Sequence, residues 1–350
     1  MTAVTGTFAF TLAYWEQSII KTVAVLTIFT VGAILLGYTF LMKMMSHMQS
    51  RLGPMESGGF HGWFQNLGDA VKFIQKEDII PADADKWVFS FAPYVVMMST
   101  FLLFLVIPMG PDLVVSDLAM GVFYALAVSS IGVLGILMAG WSSANKYSLM
   151  GSLRAAGQLI AYELPLVLAV VGVVIQAGTM SLTGIIGAQR GFKIFGLDLG
   201  GMPFIATQLV GFVIFMIAAQ AELTQAPFDM PVAESELVTG YMTEYSGFRF
   251  LSFFISEMGS TFALSAIGAT LFLGGWYIPM PDSWVDSNFA DYIGPGILLG
   301  KIMFVSFLIF WVRFSYPRLR EDQLQALAWK YLIPISLLNI MVTAVLKVAF

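Results

Sequence analysis

Long apolar runs with few charges limit most strongly what this chain can fold into. Of its 350 residues, 58% are hydrophobic and only 11% are charged, whereas soluble domains carry about 25% charged residues. A helix of roughly 20 residues crosses a bilayer core of about 30 Å, and the uncharged runs are long enough to do so. Weak period-2 alternation argues against an outer-membrane barrel. We therefore predict an all-α, polytopic integral membrane protein.

The apolar runs, bounded by charged or Pro/Gly-rich breaks, predict about eight transmembrane helices in a single membrane domain that spans residues 1–350. The expected bounds are 17–42, 87–108, 118–140, 155–178, 202–221, 250–276, 294–314 and 331–350. An even number of spans places both termini on the same side. Because the N-terminal segment lacks a basic n-region and a small-residue cleavage site, we expect the first run to stay in the mature protein.

The basic residues are distributed unevenly between the two sides of the predicted bundle. The connections after the odd-numbered spans and their edges hold Lys43, Arg51, Lys72, Lys76, Lys86, Lys146, Arg154, Arg249, Arg313, Arg318, Arg320 and Lys330. The other side holds Arg190 and Lys193, with Lys21, Lys301 and Lys347 near helix ends. The positive-inside rule makes the first group cytoplasmic and places both termini outside, on the periplasmic side.

The connection 43–86 is too long to be a turn, and we expect it to be a cytoplasmic loop that contains an amphipathic helix. Its apolar residues recur at helical spacing and are Phe60, Trp63, Phe64, Leu67, Val71 and Ile74. This pattern predicts a helix lying in the membrane interface. The polar face carries Asp69, Lys72 and Lys76, for which a solvated face with an i,i+3 ion pair is the simplest interpretation.

The segment 222–249 is expected to be an acidic cytoplasmic loop. It begins within AELTQAPFDMPVAESE (221–236), and no Lys or Arg occurs between Lys193 and Arg249. Pro227 and Pro231 prevent the fifth span from continuing regularly through this loop, and Pro231 predicts the start of a short helix, VAESELVTGY. The macrodipole of that helix would account for Glu234 and Glu236. It leaves Glu222, Asp229 and Glu244 without compensation, and partly desolvated acids of this kind can relay protons.

Two further carboxylates lie inside predicted spans, Glu163 in LIAYELPLVL and Glu257 in FFISEMGS. A charge at mid-membrane costs at least about 2.5 kcal/mol, so an intramembrane acid is a functional candidate. Glu257 is nearer the cytoplasmic end and could equally extend to the interface. Arg154 precedes Glu163 by two and a half helical turns, so we expect it to emerge on the opposite face.

The chain contains no cysteine, which excludes disulfides, thiolate metal sites and iron–sulfur clusters ligated by its own thiolates. We expect no metal site at His47 or His61, because no carboxylate has suitable spacing around them. No nucleotide-binding fingerprint follows a predicted strand, so the chain does not bind NADH in the Rossmann manner.

Several long motifs resemble the quinone-site membrane subunit of NADH-quinone oxidoreductase, respiratory complex I, over nearly the whole chain. They are KEDIIPADAD (76–85), GWSSANKYSLMGSLRAAGQLIAYE (140–163), the acidic segment 221–247, LFLGGW (271–276) and YPRLREDQL (316–324). The resemblance implies a subunit of a proton-pumping translocase that has no redox cofactor and no catalytic activity of its own. Quinone would be the substrate, and the iron–sulfur clusters and FMN would lie on partner subunits.

The resemblance also implies the partners and the location. Expected partners are the peripheral quinone-site and cluster-bearing subunits, small membrane subunits, antiporter-like subunits, quinone and the lipid bilayer, with no nucleic acid. The expected location is the bacterial cytoplasmic (inner) membrane. By matching positions, the residues near the quinone tunnel are Arg51, Asp69, Lys72, Phe228, Asp229 and Arg249. Those of the proton-coupling path are Tyr162, Glu163, Glu222, Asp229, Glu234, Glu236, Glu244 and Glu257.

Departures from the family pattern leave other interpretations open. Glu56 and Gln225 stand where the family commonly has Arg, Val232 where it has Glu, and Met242 where His is frequent. The missing arginines would leave the loop acids less compensated. They also allow an equivalent subunit of a related complex with a different electron donor. A stand-alone cation/proton antiporter and a purely hydrophobic anchor are the remaining alternatives.

Overall fold

A computed structural model describes residues 14–111, 113–190, 201–277 and 287–349, and regular structure within these ranges is helical throughout. The helices are α1 (Tyr14–Leu36), α2 (Met45–Met48), α3 (Gln65–Gln75), α4 (Lys86–Leu103), α5 (Gly121–Ser142), α6 (Lys146–Ala177), α7 (Leu182–Arg190), α8 (Leu209–Glu222), α9 (Glu234–Leu237), α10 (Gly247–Phe272), α11 (Ser287–Ser315), α12 (Glu321–Ala326) and α13 (Ile333–Ala349). Two π-helical segments, Gly37–Met44 and Leu327–Leu332, join α1 to α2 and α12 to α13.

Seven helices of the described chain are long and apolar enough to cross a membrane, which confirms the all-α polytopic fold class. The fifth predicted span is the exception. Its helix, α8, starts at Leu209 instead of 202 and has 14 residues, about 21 Å at 1.5 Å per residue. The start is delayed because Pro203 and a 3-10 turn at Phe204–Ala206 precede it. With α8 as a short eighth element, the expected order of spans is retained.

Helix α10 is the centre of the bundle, since it packs against α1, α4 and α11 and buries most of its length. Aromatic side chains fill the contact with α1 and α4. Phe104 stacks on Phe262 with ring centroids 5.9 Å apart, and Phe29 meets Phe104 edge-on at 5.7 Å. Gly259 makes this approach possible, because a Cβ there would lie 2.4 Å from the Phe29 ring.

Helix α6 organises the other half, where α5, α8 and α13 pack against it. A buried polar cluster fixes α13 to the start of α8. Asn339 donates to Oε1 of Gln208 at 2.9 Å, and Nε2 of Gln208 donates to Oγ1 of Thr343 at 2.6 Å. Hydrogen bonds between helices satisfy polar groups that lipid cannot.

The four connections that follow odd-numbered spans meet at one end of the bundle. Hydrogen bonds that join them are Asp85 N to Ser142 O (3.1 Å), Ile79 N to Ser246 Oγ (3.1 Å) and Leu319 N to Pro227 O (3.0 Å). This geometry agrees with the grouping of connections on which the sequence-based topology rests.

The predicted interfacial helix is present as α3, with an Asp69–Lys72 ion pair of 3.3 Å as expected. Its apolar residues Leu67, Val71 and Ile74 remain exposed on the chain, which suits contact with lipid or with a partner. The helix is shorter than the apolar pattern suggested. It begins at Gln65 because the preceding segment has positive φ at several residues, including His61 (φ 64°).

Candidate functional site

The acid loop, residues 222–249, leaves the end of α8 and crosses one end of the bundle. The predicted helix VAESELVTGY is wrong in extent, because α9 covers only Glu234–Leu237. Val238 at φ 65° and Gly240 at φ 59° end it. A Cβ at Gly240 would lie 1.8 Å from the Pro231 carbonyl oxygen, so this approach requires glycine. A single helical turn has little macrodipole, so the charge of Glu236 is stabilised by arginine side chains instead.

The loop lies along α6 and is anchored to it at three points. Nε2 of Gln158 donates to the carbonyl oxygens of Ala221 (2.8 Å) and Phe228 (2.7 Å). Farther towards the start of α6, Arg154 binds Glu236 and Asn145 binds Glu244. The order of these contacts shows that the loop runs antiparallel to α6.

Glu236 is paired with two arginines, which corrects the expectation that a helix macrodipole accounts for it. Its carboxylate lies 2.6 Å from Arg154 Nη1 and 3.2 Å from Arg318 Nη1. The hydrogen bond from Arg154, with the charge of Arg318, lowers the pKa of Glu236 from its usual range. The two arginines come from α6 and from the connection between α11 and α12, so only the fold could bring them together.

Glu257 is also paired, although the sequence offered only burial or extension to the interface. Arg313 Nη1 on α11 donates to Oε1 of Glu257 on α10 at 2.9 Å. Both side chains are partly buried, and Arg313 also lies over the Phe310 ring, 5.8 Å from its centroid. Glu257 is therefore a compensated acid.

Glu222 differs from both, because its Oε2 atom is buried and has no hydrogen-bond partner in the described part of the chain. No Lys or Arg among these residues forms an ion pair with it. Glu222 and Glu257 line one cavity of about 80 Å³. Hydroxyl side chains line the same cavity, namely Ser99, Thr100, Ser129, Thr224, Ser256 and Ser260. A water needs about 10–15 Å³, so the cavity is large enough to admit water beside these polar groups.

Other predicted acids lie around this cavity. Glu163 on α6 is close enough to Glu222 for the two carboxyl groups to interact electrostatically. Tyr241 lines the cavity and interacts with both Glu257 and Asp229. Burial raises the pKa of the Tyr241 phenol, so this hydroxyl stays neutral. The structure thus brings Glu222 near both Glu163 and Glu257, and Asp229 near Tyr241.

Two of the remaining coupling candidates, Glu244 and Tyr162, have structural partners. Glu244 Oε1 accepts from Asn145 Nδ2 at 2.5 Å, and Asn145 also caps the first turn of α6 through Tyr147 N. Tyr162 is fully buried and donates to the Leu324 carbonyl at 2.9 Å. The side chain of Glu234 lies outside the described residues.

The predicted tunnel residues are placed at separate positions. Arg249, at the start of α10, contacts Asp78 at 3.3 Å and lies over the Phe89 ring. Asp69 and Lys72 pair with each other on α3, which packs against α10. Arg51 donates to Gln49 at 2.8 Å from an exposed position.

Phe228 is buried, meets the Tyr162 ring edge-on at 5.3 Å and lines a surface groove between α8 and α11. This groove has a volume of about 550 Å³, with Gln220, Trp311 and Tyr316 on its walls. Asp229, which follows Phe228, does not line the groove and interacts with Tyr241 of the cavity wall.

Sequence reasoning missed Gln158, Asn145 and Lys301. Lys301 on α11 donates to the carbonyls of Leu273 and Gly275, beyond the end of α10, at 2.6 and 2.8 Å. A polar residue within an apolar run was the available signal for Gln158 and Lys301. Their partners are distant in sequence, so the signal did not identify a role.

These features define a class: a polytopic helical membrane protein in which a cross-bundle loop lies over a cavity lined by partly buried carboxyl groups. A sequence model of the NADH dehydrogenase family matches residues 20–344. The chain belongs to that family.

Curated relatives cover nearly the whole chain. A protein of Bacillus mycoides (strain KBAB4), named as the H subunit of NADH-quinone oxidoreductase, is 44% identical over 330 residues, 93% of each chain. Proteins with the same name from Bacillus cereus (strain B4264) and Bacillus thuringiensis (strain Al Hakam) are 43% identical over the same shares.

Proposed function

We propose that this chain is the quinone-site membrane subunit of a proton-pumping NADH-quinone oxidoreductase, respiratory complex I. In that role it forms part of the quinone tunnel and couples quinone reduction to proton translocation through its acidic residues. Family membership and the name shared by the relatives support this assignment. The single observation that carries the coupling role is the cavity beneath the acid loop, where Glu222 and Glu257 meet.

The chemistry requires protonatable groups near the quinone, because two-electron reduction of a quinone takes up two protons. The two acids that line the cavity, Glu222 and Glu257, differ in whether a cation compensates their charge. Glu257 is held by Arg313, whereas Glu222 has no cation beside it in the described chain. A charge change at Glu222 is weakly screened, so it acts on Glu163 and on the loop above. A proton taken up or released there thereby connects the loop with the membrane interior.

The complex would supply what this chain lacks. Iron–sulfur clusters and FMN would lie on partner subunits, and this chain would carry out no redox step of its own. The other partners would be the peripheral quinone-site subunits, small membrane subunits and antiporter-like subunits. The acid loop would face the cytoplasm, and both termini would lie on the outer side of the bacterial cytoplasmic membrane.

The test is to measure quinone-reductase activity and proton pumping in membranes that contain the assembled complex with Asp229→Asn or Glu163→Gln. We expect both variants to lose pumping, because each removes a titratable group beside the cavity. Wild-type pumping per electron in both would refute the coupling role. If electron transfer alone falls while the pumping ratio stays intact, these acids serve quinone chemistry and not transmission.

A further inference from the structure

Gln158 makes a pair of hydrogen bonds whose position along the chain is unusual. Its side chain is completely buried in α6. The two hydrogens of its amide nitrogen are donated to the carbonyl oxygens of Ala221, at 2.8 Å, and Phe228, at 2.7 Å. These carbonyls belong to the peptide groups that directly precede Glu222 and Asp229. One side chain therefore holds both backbone positions from which these acids project.

The first of these bonds ends α8. Ala221 is in the last turn of the helix, where carbonyl groups have no intrahelical partner. Its oxygen accepts from Thr224 N at 3.1 Å and from Gln158. The second bond fixes the chain after it has turned back at Pro227. Gln158 thus closes the segment 221–228 into a loop of defined width.

The orientation of the amide is set by its partners. A reversed amide would place Oε1 against two carbonyl oxygens, which repel it, so the nitrogen must face the loop. Oε1 is buried without a hydrogen-bond partner among the described residues. Leaving a buried acceptor unpaired costs about 1–3 kcal/mol. The arrangement keeps the two bonds to the loop despite this cost, and neither a carboxylate nor an apolar side chain can replace them.

We propose that Gln158 is a positioning residue that sets the relative placement of Glu222 and Asp229, and thereby the proton path between the acid loop and the cavity. The inference rests on the proposed function. Glu222 lines the cavity with Glu257, and Asp229 interacts with Tyr241 on the same cavity wall. Among the described residues, these two bonds are the hydrogen bonds that α6 side chains make to the ends of the segment 221–228; without them the packing of Tyr162 on Phe228 remains, but the backbone carbonyls beside both acids are no longer held.

A matched control exists at the other end of the molecule. Gln189 is also completely buried, and its Nε2 donates to two consecutive carbonyls, Thr270 at 2.9 Å and Leu271 at 3.2 Å. Its Oε1 accepts from Phe204 N at 3.0 Å. Gln158→Met and Gln189→Met each remove the hydrogen bonds of one buried amide and keep a side chain of similar length. Gln189→Met should therefore lose at least as much stability as Gln158→Met, because it removes three hydrogen bonds instead of two. Only Gln158→Met should displace Glu222 and Asp229.

The experiment compares the two variants in the assembled complex, with activities normalised to the amount of assembled enzyme. Displacement of reacting groups by about 1 Å can cost roughly a hundredfold in rate. We expect Gln158→Met to lower proton-coupled quinone reduction about ten- to hundredfold and to reduce protons pumped per electron. Gln189→Met should keep the wild-type ratio. If the two variants have equal rates of quinone reduction and pump equal numbers of protons per electron, the positioning role of Gln158 is overturned.

A second variant keeps the proposal falsifiable if Gln158→Met does not assemble. Gln158→Glu has the same shape but offers no donor when ionised. As the pH falls and the new carboxyl group takes up a proton, one donor returns, so the pumping ratio should recover towards acid pH. A pH-independent ratio equal to wild type would contradict the inference.

Glu222→Gln and Asp229→Asn, measured in the same series, separate the proposed function from the role of Gln158. If both pump like wild type, the proposed function fails. If both lose pumping while Gln158→Met and Gln158→Glu do not, the proposed function stands and only the role of Gln158 is refuted.

Discussion

Arg313 and Glu257 form an ion pair of 2.9 Å that joins α11 to α10 beside the acid cavity. Their side chains are 24% and 26% exposed, so water screens the pair only in part. Farther along the same two helices, Lys301 of α11 binds the backbone carbonyls beyond the end of α10. Helix α10 is thus fixed to α11 within its first half, at Glu257, and again just beyond its C-terminal end.

The ion pair predicts a strong coupling between its two members. Arg313→Met leaves Glu257 in a partly buried site without its cation, so we expect a lower thermal midpoint and poorer assembly of the complex. The double variant Arg313→Met/Glu257→Gln should be less destabilised than the sum of the single variants, with a coupling of about 0.5–3 kcal/mol. Thermal unfolding of the purified complex measures all four states. Additive effects would show that the pair contributes nothing by its contact.

Lys301 and Lys347 both bind backbone carbonyls beyond or at a helix end, and we expect their replacement to lower stability to different extents. Lys301→Met removes the donors from carbonyls beyond α10, and each buried unsatisfied carbonyl costs about 1–3 kcal/mol. Lys347 donates in the same way to Ile175 and Gln176 at the end of α6, but from an exposed position. Water can replace it there. We expect Lys301→Met to lower the thermal midpoint clearly more than Lys347→Met, and an equal effect would show that burial does not set the difference.

Glu236 predicts a pH-dependent anchoring of the acid loop. Because Arg154 and Arg318 lower its pKa in the folded protein, the ion pairs contribute fully above the ordinary Glu value of about 4.3. The contribution is lost as the pH falls through the lowered pKa. Half of the Glu236 side chain is exposed, so added salt should also weaken it. Hydrogen exchange of residues 232–244, corrected for intrinsic rates, should therefore rise in acid.

Glu236→Gln is the control for this titration. It removes the carboxylate but keeps the size of the side chain, so exchange of the loop should be faster at neutral pH and nearly independent of pH and salt. A wild-type loop whose exchange is equally insensitive would show that these ion pairs do not hold it.

The close approach of Gly240 to the Pro231 carbonyl predicts that a larger residue at position 240 destabilises the fold. Gly240→Ala forces an L side chain into φ 59° and places its Cβ 1.8 Å from the Pro231 oxygen. The left-handed conformation alone costs about 1–2 kcal/mol, and the clash adds to it. Gly187→Ala in α7 is the control, because no atom lies within 4 Å of the new Cβ. Thermal unfolding should show destabilisation only in Gly240→Ala; a neutral effect there would contradict the described loop conformation.

The fold class was predictable because lipid imposes a simple rule on sequence. A backbone in lipid must form its hydrogen bonds internally, in helices or in closed barrels. Since the alternation typical of a barrel is weak here, each long apolar run signals a helical span. That rule located seven long helices, and the short α8 approximately, from residues close together in the chain. It misjudged the start of α8, which Pro203 and a 3-10 turn delay. The extent of α9, predicted from Pro231, was also wrong, because the close contact of Gly240 with Pro231 ends that helix early.

The sequence by itself determined which acids this protein has, that they lie near or within membrane-spanning helices, and that α3 is amphipathic. Only the tertiary structure decided which acids are compensated. Glu236 and Glu257 acquire arginines from remote helices, whereas Glu222 shares a cavity with Glu257 and has no such partner in the described chain. The reason is physical: the charge of a carboxyl group depends on neighbours within a few ångströms, and in a helical bundle these neighbours come from distant segments.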